Sequence, residues 1–106
     1  MSKIKDVAVI GIGVIGTGWI IRCLAHGKRV RAYDINPKNK NDLITEIKRT
    51  RPFIKKFFSK KKLNLKNLSF FTKLDEALLN AEIIFECAPE NYNVKIKLMK
   101  QIGLSS

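Results

Sequence analysis

The sequence predicts an α/β fold with a doubly wound, parallel sheet covered by helices on both faces, and three observations predict it. Short apolar runs alternate with longer stretches of helical periodicity, a pattern that builds parallel pairing through helical crossovers. The first apolar run breaks directly into glycines at Gly11, Gly13 and Gly16, and a helical pattern opens from them. An acid, Asp34, closes the second run at close to the roughly 20-residue distance that suits a nucleotide-binding turn.

Each element has its own justification. Val7-Ala8-Val9-Ile10 is continuously apolar, as a central strand buried on both faces requires. A helix is expected from Val14 to His26, where Ile15, Trp19 and Ile20 lie close to one stripe that Cys23, Leu24 and Ala25 extend. Gly27 stops it, because glycine takes the left-handed cap conformation without steric cost. Val30 to Tyr33 is the second strand, closed by the turn residues Asp34-Ile35-Asn36-Pro37. A second helix is expected from Asn41 to about Phe58, capped by Asn39 or Asn41, with Leu43, Ile44 and Ile47 on its apolar face. Pro52 is expected to bend or split it, since proline lacks the N–H that an interior helix position donates.

A polar connection over residues 59–67 leads to a third strand, Leu68 to Thr72. The short helix from Leu74 to Asn80 has Asp75 and Glu76 in its first turn, where acids favour the positive helix end. Ile83 to Cys87 is the fourth strand. A last helix is expected from Tyr92 to Ile102, with Val94, Leu98 and Ile102 at helical spacing. The chain thus reads as one domain, residues 1–106, holding about four strands with intervening helices, and it shows no repeat and no linker.

Composition narrows the function. At 106 residues one modest core is available. No apolar run approaches the roughly 20 residues needed to span a bilayer, and Met1 to Asp6 lacks the regions of a signal peptide. A cytoplasmic protein without a membrane partner is expected. Cys23 and Cys87 are too few and too far apart for a metal site or a disulfide framework, and each sits in an apolar element as a small core residue. The net charge is +12, and the stretch from Ile47 to Leu74 contains no acid while lysines, arginines and phenylalanines interleave within it. Such a segment suits a nucleic acid or an anionic group such as a CoA phosphate. A solvated basic face is the plainer reading and the preferred one, because no nucleic-acid module motif accompanies it.

Gly11-Ile12-Gly13-Val14-Ile15-Gly16 satisfies the G-x-G-x-x-G pattern in the required context, after a strand and at the head of a helix. This is the mark of a Rossmann-type domain. Gly11 permits the tight turn, Gly13 lets the backbone approach a pyrophosphate, and Gly16 lets the helix pack on the strand. The pyrophosphate would meet the N–H groups around Val14 and Ile15 and the positive end of the helix dipole. Asp34 stands where a carboxylate accepts the adenine-ribose 2′-hydroxyl and repels a 2′-phosphate, which selects NAD over NADP. The plainer reading makes Asp34 only a turn residue before Asn36-Pro37. Lys38, nearby, would soften the exclusion of NADP without reversing it.

After strand four, Glu86-Cys87-Ala88-Pro89-Glu90-Asn91 occupies the carboxyl edge, where ligands of open α/β sheets bind. Glu90 and Asn91 either face the nicotinamide crevice or cap the following helix. His26 is the only histidine. It ends the first helix at the wrong edge of the sheet for the cofactor, and is rejected as a catalytic base.

Taken together, Val9 to Trp19, Leu24-Ala25-His26-Gly27, Tyr33-Asp34 and Glu86 to Asn91 resemble the 3-hydroxyacyl-CoA dehydrogenase family over essentially the whole chain. Gly13-Val14-Ile15-Gly16 with Gly18-Trp19, and later Ala88-Pro89-Glu90, look more like its L-carnitine dehydrogenase branch, with the L-gulonate dehydrogenase (lambda-crystallin) branch close behind. The resemblance implies NAD-dependent oxidation of a 3-hydroxyl to a 3-keto group, in which a His paired with a Glu takes the hydroxyl proton. It carries Gly11, Gly13, Gly16 and Asp34 over as nucleotide-binding residues, with Glu90 and Lys95 at the nicotinamide end. The family's catalytic His and Glu, its later strands and its helical dimerisation domain fall beyond Ser106. No catalytic residue is therefore expected in this chain. It is expected to bind NAD weakly or not at all and to be inactive alone, as an engineered piece, a truncated product or one part of a split enzyme. The full-length parent would be a homodimer acting on a small hydroxy acid, of L-carnitine type, or on an acyl-CoA. Two other functions stay open: a nucleotide-binding module without chemistry, and an anion- or nucleic-acid-binding protein using the basic segment 48–73.

Overall fold

The computed structural model describes residues 4–57, 63–87 and 94–98. In chain order it contains β1 (Asp6–Ile10), α1 (Val14–Ala25), β2 (Arg29–Tyr33), α2 (Asn39–Phe57), β3 (Leu68–Phe71), α3 (Leu74–Leu78), β4 (Ile83–Cys87) and β5 (Val94–Leu98), with a 3-10 turn at Leu65–Asn67 before β3. The sheet order is β3-β2-β1-β4-β5. The pairs β1–β2, β2–β3 and β1–β4 are parallel, and β4–β5 is antiparallel. Among the described residues no helix is long and apolar enough to cross a membrane.

The continuous apolar run places β1 at the centre, where Val7, Ala8 and Val9 are fully buried. The strand's two-residue period then sorts the core. Val7 and Val9 join Ile20, Leu24, Leu43, Ile47 and Phe85 beneath α1 and α2. Ala8 faces the opposite way, toward Ile84 and Leu78 on the side of α3. The sheet is therefore doubly wound, with a thick core on one face and a thin one on the other. On the thick side Trp19 stacks on Phe85, ring centroids 4.6 Å apart, a pair worth about 0.5–1.5 kcal/mol beyond its burial.

Polar groups tie the strand ends. Glu82 accepts the N–H groups of Lys5 and Asp6 at 3.0 and 3.1 Å, and its own N–H donates to the Asp6 carbonyl at 2.9 Å, which pins the start of β4 to β1. The Arg29 guanidinium grips the Asp6 carboxylate through two bonds of 2.7 and 2.8 Å across the β1–β2 register. Arg31 donates to the carbonyls of Ala77 and Glu76, partnering acceptors that a helix end leaves open.

Helix α1 packs on β1 at a distance only glycine allows. A Cβ on Gly16 would lie 1.9 Å from the Gly11 carbonyl oxygen. Gly18, two positions on, is exposed, and a Cβ there would meet nothing within 4 Å.

Two expectations are corrected here. Pro52 does not split α2, which runs as one helix from Asn39 to Phe57. Two buried anchors, Leu43 and Ile47, precede the proline, and Lys48, whose carbonyl loses its helical donor, is exposed to solvent. The helix expected over Tyr92 to Ile102 is replaced, in its described part, by strand β5. Val94, Ile96 and Leu98 alternate with Lys95 and Lys97, the period of a strand. Only residues 88–93 separate β4 from β5, too few for the crossover of a dozen or more that a parallel return needs, so the strand adds antiparallel.

Two predictions follow from this packing. Gly16→Ala is expected to lower the unfolding free energy by about 1–3 kcal/mol, because backbone must move to admit the methyl group. Gly18→Ala is expected to raise it by about 0.5–1 kcal/mol, as alanine replaces an exposed glycine inside a helix; urea denaturation of the two variants reads both signs. The second concerns acid stability. The Arg29 hydrogen bond holds the Asp6 carboxyl below its ordinary value of 3.8. A depressed carboxyl adds stability that is present above that value and is lost as pH falls through the lower folded one. The stability difference between the natural chain and Asp6→Asn is accordingly expected to be constant near neutrality and to shrink below about pH 3.8, as measured by denaturation at a series of pH values.

Candidate functional site

The glycine-rich turn joins β1 to α1 at the carboxyl edge of the parallel strands, between β2 and β4. Connections leave β1 toward β2 on one side while β4 returns on the other, the switch point where open α/β sheets bind ligands. The turn is held from several directions. The Gly11 N–H donates to the Tyr33 carbonyl at 2.8 Å. Gly11 has φ +94°, and a Cβ on it would lie 2.1 Å from the Cys87 carbonyl oxygen. Ile12 buries its side chain in the core, and its N–H donates to the Asp34 carboxylate at 2.9 Å.

Gly13 is the N-cap of α1, exposed, with open space where a Cβ would project. No side chain caps this helix end, and no acid lies in its first turn. Its unpaired N–H groups and the positive end of its dipole are thus left for an anion. Val14 is 93% exposed, Ile15 is partly buried, and Gly16 is buried against the turn. These features fit a dinucleotide pyrophosphate, whose charge and width suit an uncapped, side-chain-free helix start.

Asp34 follows β2, with its N–H on the Phe71 carbonyl at 3.2 Å. One carboxylate oxygen accepts the Ile12 N–H and the other accepts the Asn36 N–H at 2.9 Å. The Asn36 side chain in turn accepts the Lys38 N–H at 3.0 Å. The turn reading and the crevice reading of Asp34 therefore coexist in one carboxylate.

Two crevices flank the glycine turn. The first, between α1 and α2, has a volume of about 480 Å³, and Asp42 and Glu46 from α2 line it. The second, about 630 Å³, opens on the α3 side, where Asp34 meets an apolar wall of Ile35, Leu74, Leu78 and Ile84. Each holds two carboxylates, Asp42 and Glu46 in the first and Asp34 and Glu86 in the second, so charge does not separate them. The second offers an apolar slot for a flat ring beside an acceptor for hydroxyls. At its rim Lys97 pairs with Glu86 at 2.7 Å. Burial pushes the Cys87 thiol up, and the Cys23 thiol up to about 11, so both are protonated near neutrality and pack rather than react.

Gly11, Gly13, Val14, Ile15, Gly16 and Asp34 are thus gathered at one edge. Glu90, with Pro89 and Asn91, lies outside the described residues. Lys95 sits exposed on β5 opposite Glu86, and the residue that β5 contributes to the crevice lining is Lys97. Residue-by-residue reading missed the wall formed by Ile35, Leu74 and Leu78. Its one available signal was Ile35, a large apolar side chain placed inside a polar turn and 80% exposed. His26 ends α1 at the opposite edge, its N–H on the Arg22 and Cys23 carbonyls. Of the basic segment, Lys48, Arg49, Lys66 and Lys73 are exposed, and Arg49 pairs with Glu46.

Comparison with known proteins bears on this geometry. The family described as the NAD binding domain of 3-hydroxyacyl-CoA dehydrogenase matches residues 6–105. The L-carnitine dehydrogenase of Oceanobacillus iheyensis is 39% identical over 98 residues, covering 92% of this chain and 32% of the relative. That of Pseudomonas putida is 33% identical over 106 residues, covering 100% and 33%. The chain therefore spans about a third of the length of these relatives. Among solved structures, a diketoreductase aligns with a TM-score of 0.72 at 25% identity, over 86% of this chain and 34% of that one. The 3-hydroxybutyryl-CoA dehydrogenase of Escherichia coli K12 aligns with a TM-score of 0.69 at 29% identity, over 84% and 20%. The edge of the sheet that carries the glycine turn and Asp34 falls within the matched span, and this chain belongs to the 3-hydroxyacyl-CoA dehydrogenase family, of which it carries the NAD-binding domain.

Proposed function

We propose that the crevice on the α3 side is where this domain holds NAD, and that the chain is the NAD-binding portion of an oxidoreductase converting a 3-hydroxyl to a 3-keto group. The observation that carries this reading is the Asp34 carboxylate, 2.9 Å from the Ile12 N–H. It sets a ribose acceptor directly beside the uncapped start of α1. The N–H groups at Gly13, Val14 and Ile15 would bind the pyrophosphate. The wall of Ile35, Leu74 and Leu78 would exclude water from one face of the adenine. NAD supplies the hydride acceptor for the oxidation. The substrate class rests on kinship: the L-carnitine dehydrogenases among its relatives favour an L-carnitine-type 3-hydroxy acid.

The reading is tested by calorimetric titration of the chain with NAD and with NADP at several salt concentrations, repeated on Asp34→Ala. Because the glycine turn, the uncapped helix start and Asp34 lie together on one edge of this chain, weak but saturable NAD binding is expected, in place of the weak or absent binding read from the sequence. NADP is expected to bind at least about tenfold more weakly still, since a 2′-phosphate would face the carboxylate. Asp34→Ala is expected to weaken NAD and erase the preference. Equal affinity for both cofactors, or no binding by a well-folded chain, would overturn the reading. Affinity that collapses as salt rises would point to simple polyanion attraction by the basic surface.

A further inference from the structure

We propose that Asp34 is also a positioning residue for the glycine turn: its carboxylate holds the Ile12 N–H and so fixes the backbone that meets the pyrophosphate. The inference rests on the nucleotide reading above and adds a second role to one of its residues. The Ile12 N–H, at the apex of the turn, donates to Asp34 Oδ2 at 2.9 Å, across a separation of 22 positions in sequence. The next residue, Gly13, has no neighbour within 4 Å of a built Cβ, and no side chain caps α1. Beyond Ile12 the turn therefore has little else to set its direction until the helix begins.

The anchor is itself anchored. Asp34 Oδ1 accepts the Asn36 N–H at 2.9 Å, and the Asp34 N–H donates to Phe71, so the carboxylate is oriented from both sides. Each carboxylate oxygen accepts more than one hydrogen bond. Holding Ile12 and Asn36 thus leaves acceptor capacity for ribose hydroxyls, and the two roles do not compete. The same group would link the ribose end of the ligand to its pyrophosphate end. Without the acceptor the Ile12 N–H, beside a buried side chain, loses its partner, and the turn is free to rotate away from the phosphate-binding arrangement.

Asp34→Asn and Asp34→Ala separate the roles, because both remove the charge and only asparagine keeps one acceptor oxygen. That oxygen can serve Ile12, while the amide nitrogen, a donor, gives up the bond to Asn36. The first readout needs no ligand: amide hydrogen exchange in the natural chain and both variants. The Ile12 amide is expected to exchange at least about tenfold faster in Asp34→Ala and to recover most of its protection in Asp34→Asn. The Gly11 amide, bonded to Tyr33, should stay unchanged as an internal control. Equal acceleration at Gly11, or none at Ile12, would overturn the proposal.

The second readout is titration with 2′,3′-dideoxy-ADP, which has no ribose hydroxyls for Asp34 to hold. It is expected to bind Asp34→Asn about tenfold more tightly than Asp34→Ala. Equal affinities would mean that Asp34 touches the nucleotide only through ribose, and the proposal would fail. Should the natural chain bind neither ADP nor its dideoxy form, the nucleotide reading fails, and the Ile12 amide still decides whether the anchor exists.

Discussion

Two contacts of backbone on backbone leave no room for a side chain: the Cα of Gly16 against the Gly11 carbonyl, and the Cα of Gly11 against the Cys87 carbonyl. They draw three elements together at one point, the end of β1, the start of α1 and the end of β4. Because α1 lies this close, Ile20 and Leu24 reach full burial and Trp19 can stack on Phe85. The same closeness aims the head of α1 at the edge where the strand order reverses. Packing and site thus share one steric requirement, and the core cannot be built without also building the anion-binding helix start.

The apolar lining and the reach of Asp34 to the turn then decide between the two spaces beside that helix start. Asp42 and Glu46 line the space on the α2 side and Asp34 and Glu86 that on the α3 side, so the apolar wall rather than charge tells them apart. On the α3 side the core is thin, Ala8 and Ile84 being its main members, and the wall beyond them stays open as an apolar slot. Asp34 is the acid on that side that also engages the turn. Its hydrogen bonds to Ile12 and Asn36 explain why one residue serves both as a turn former and as a candidate ribose ligand. The Lys97–Glu86 pair closes the rim; both groups are partly exposed, so it contributes no more than about 1 kcal/mol.

The parts legible in the sequence are those governed by a single local rule. A run such as Val7 to Ile10 can be buried on both faces only at the centre of a sheet, and a strand-turn-helix with three spaced glycines has few other solutions. Three features were not legible, each for a physical reason. The segment from Val94 to Leu98 satisfies a helical spacing at Val94 and Leu98 and a strand alternation at Val94, Ile96 and Leu98; the open edge of β4 decides, and that edge is a property of the assembled sheet. Pro52 is a breaker by local rule, yet it follows the buried anchors Leu43 and Ile47, and the carbonyl it leaves without a donor belongs to the exposed Lys48, where water can replace the lost bond. The crevice wall needed Leu74 and Leu78 of α3 brought opposite Ile35, a long-range contact that no periodicity encodes. Glu90 lies outside the described residues, so its expected place at the nicotinamide end rests on its position after the fourth strand and on family resemblance.

The central claim is that one edge of the sheet, built around the glycine turn and Asp34, is the nucleotide site. It is tested most directly by amide chemical-shift mapping of the isotope-labelled chain during an NAD titration. The account predicts saturable shifts confined to Gly11 through Gly16, to Asp34 and Ile35, and to Leu74 and Leu78. The groove residues Asp42 and Glu46 and the opposite edge at His26 should stay unmoved. Shifts concentrated on α2 and its exposed lysines, or scattered without saturation, would contradict it.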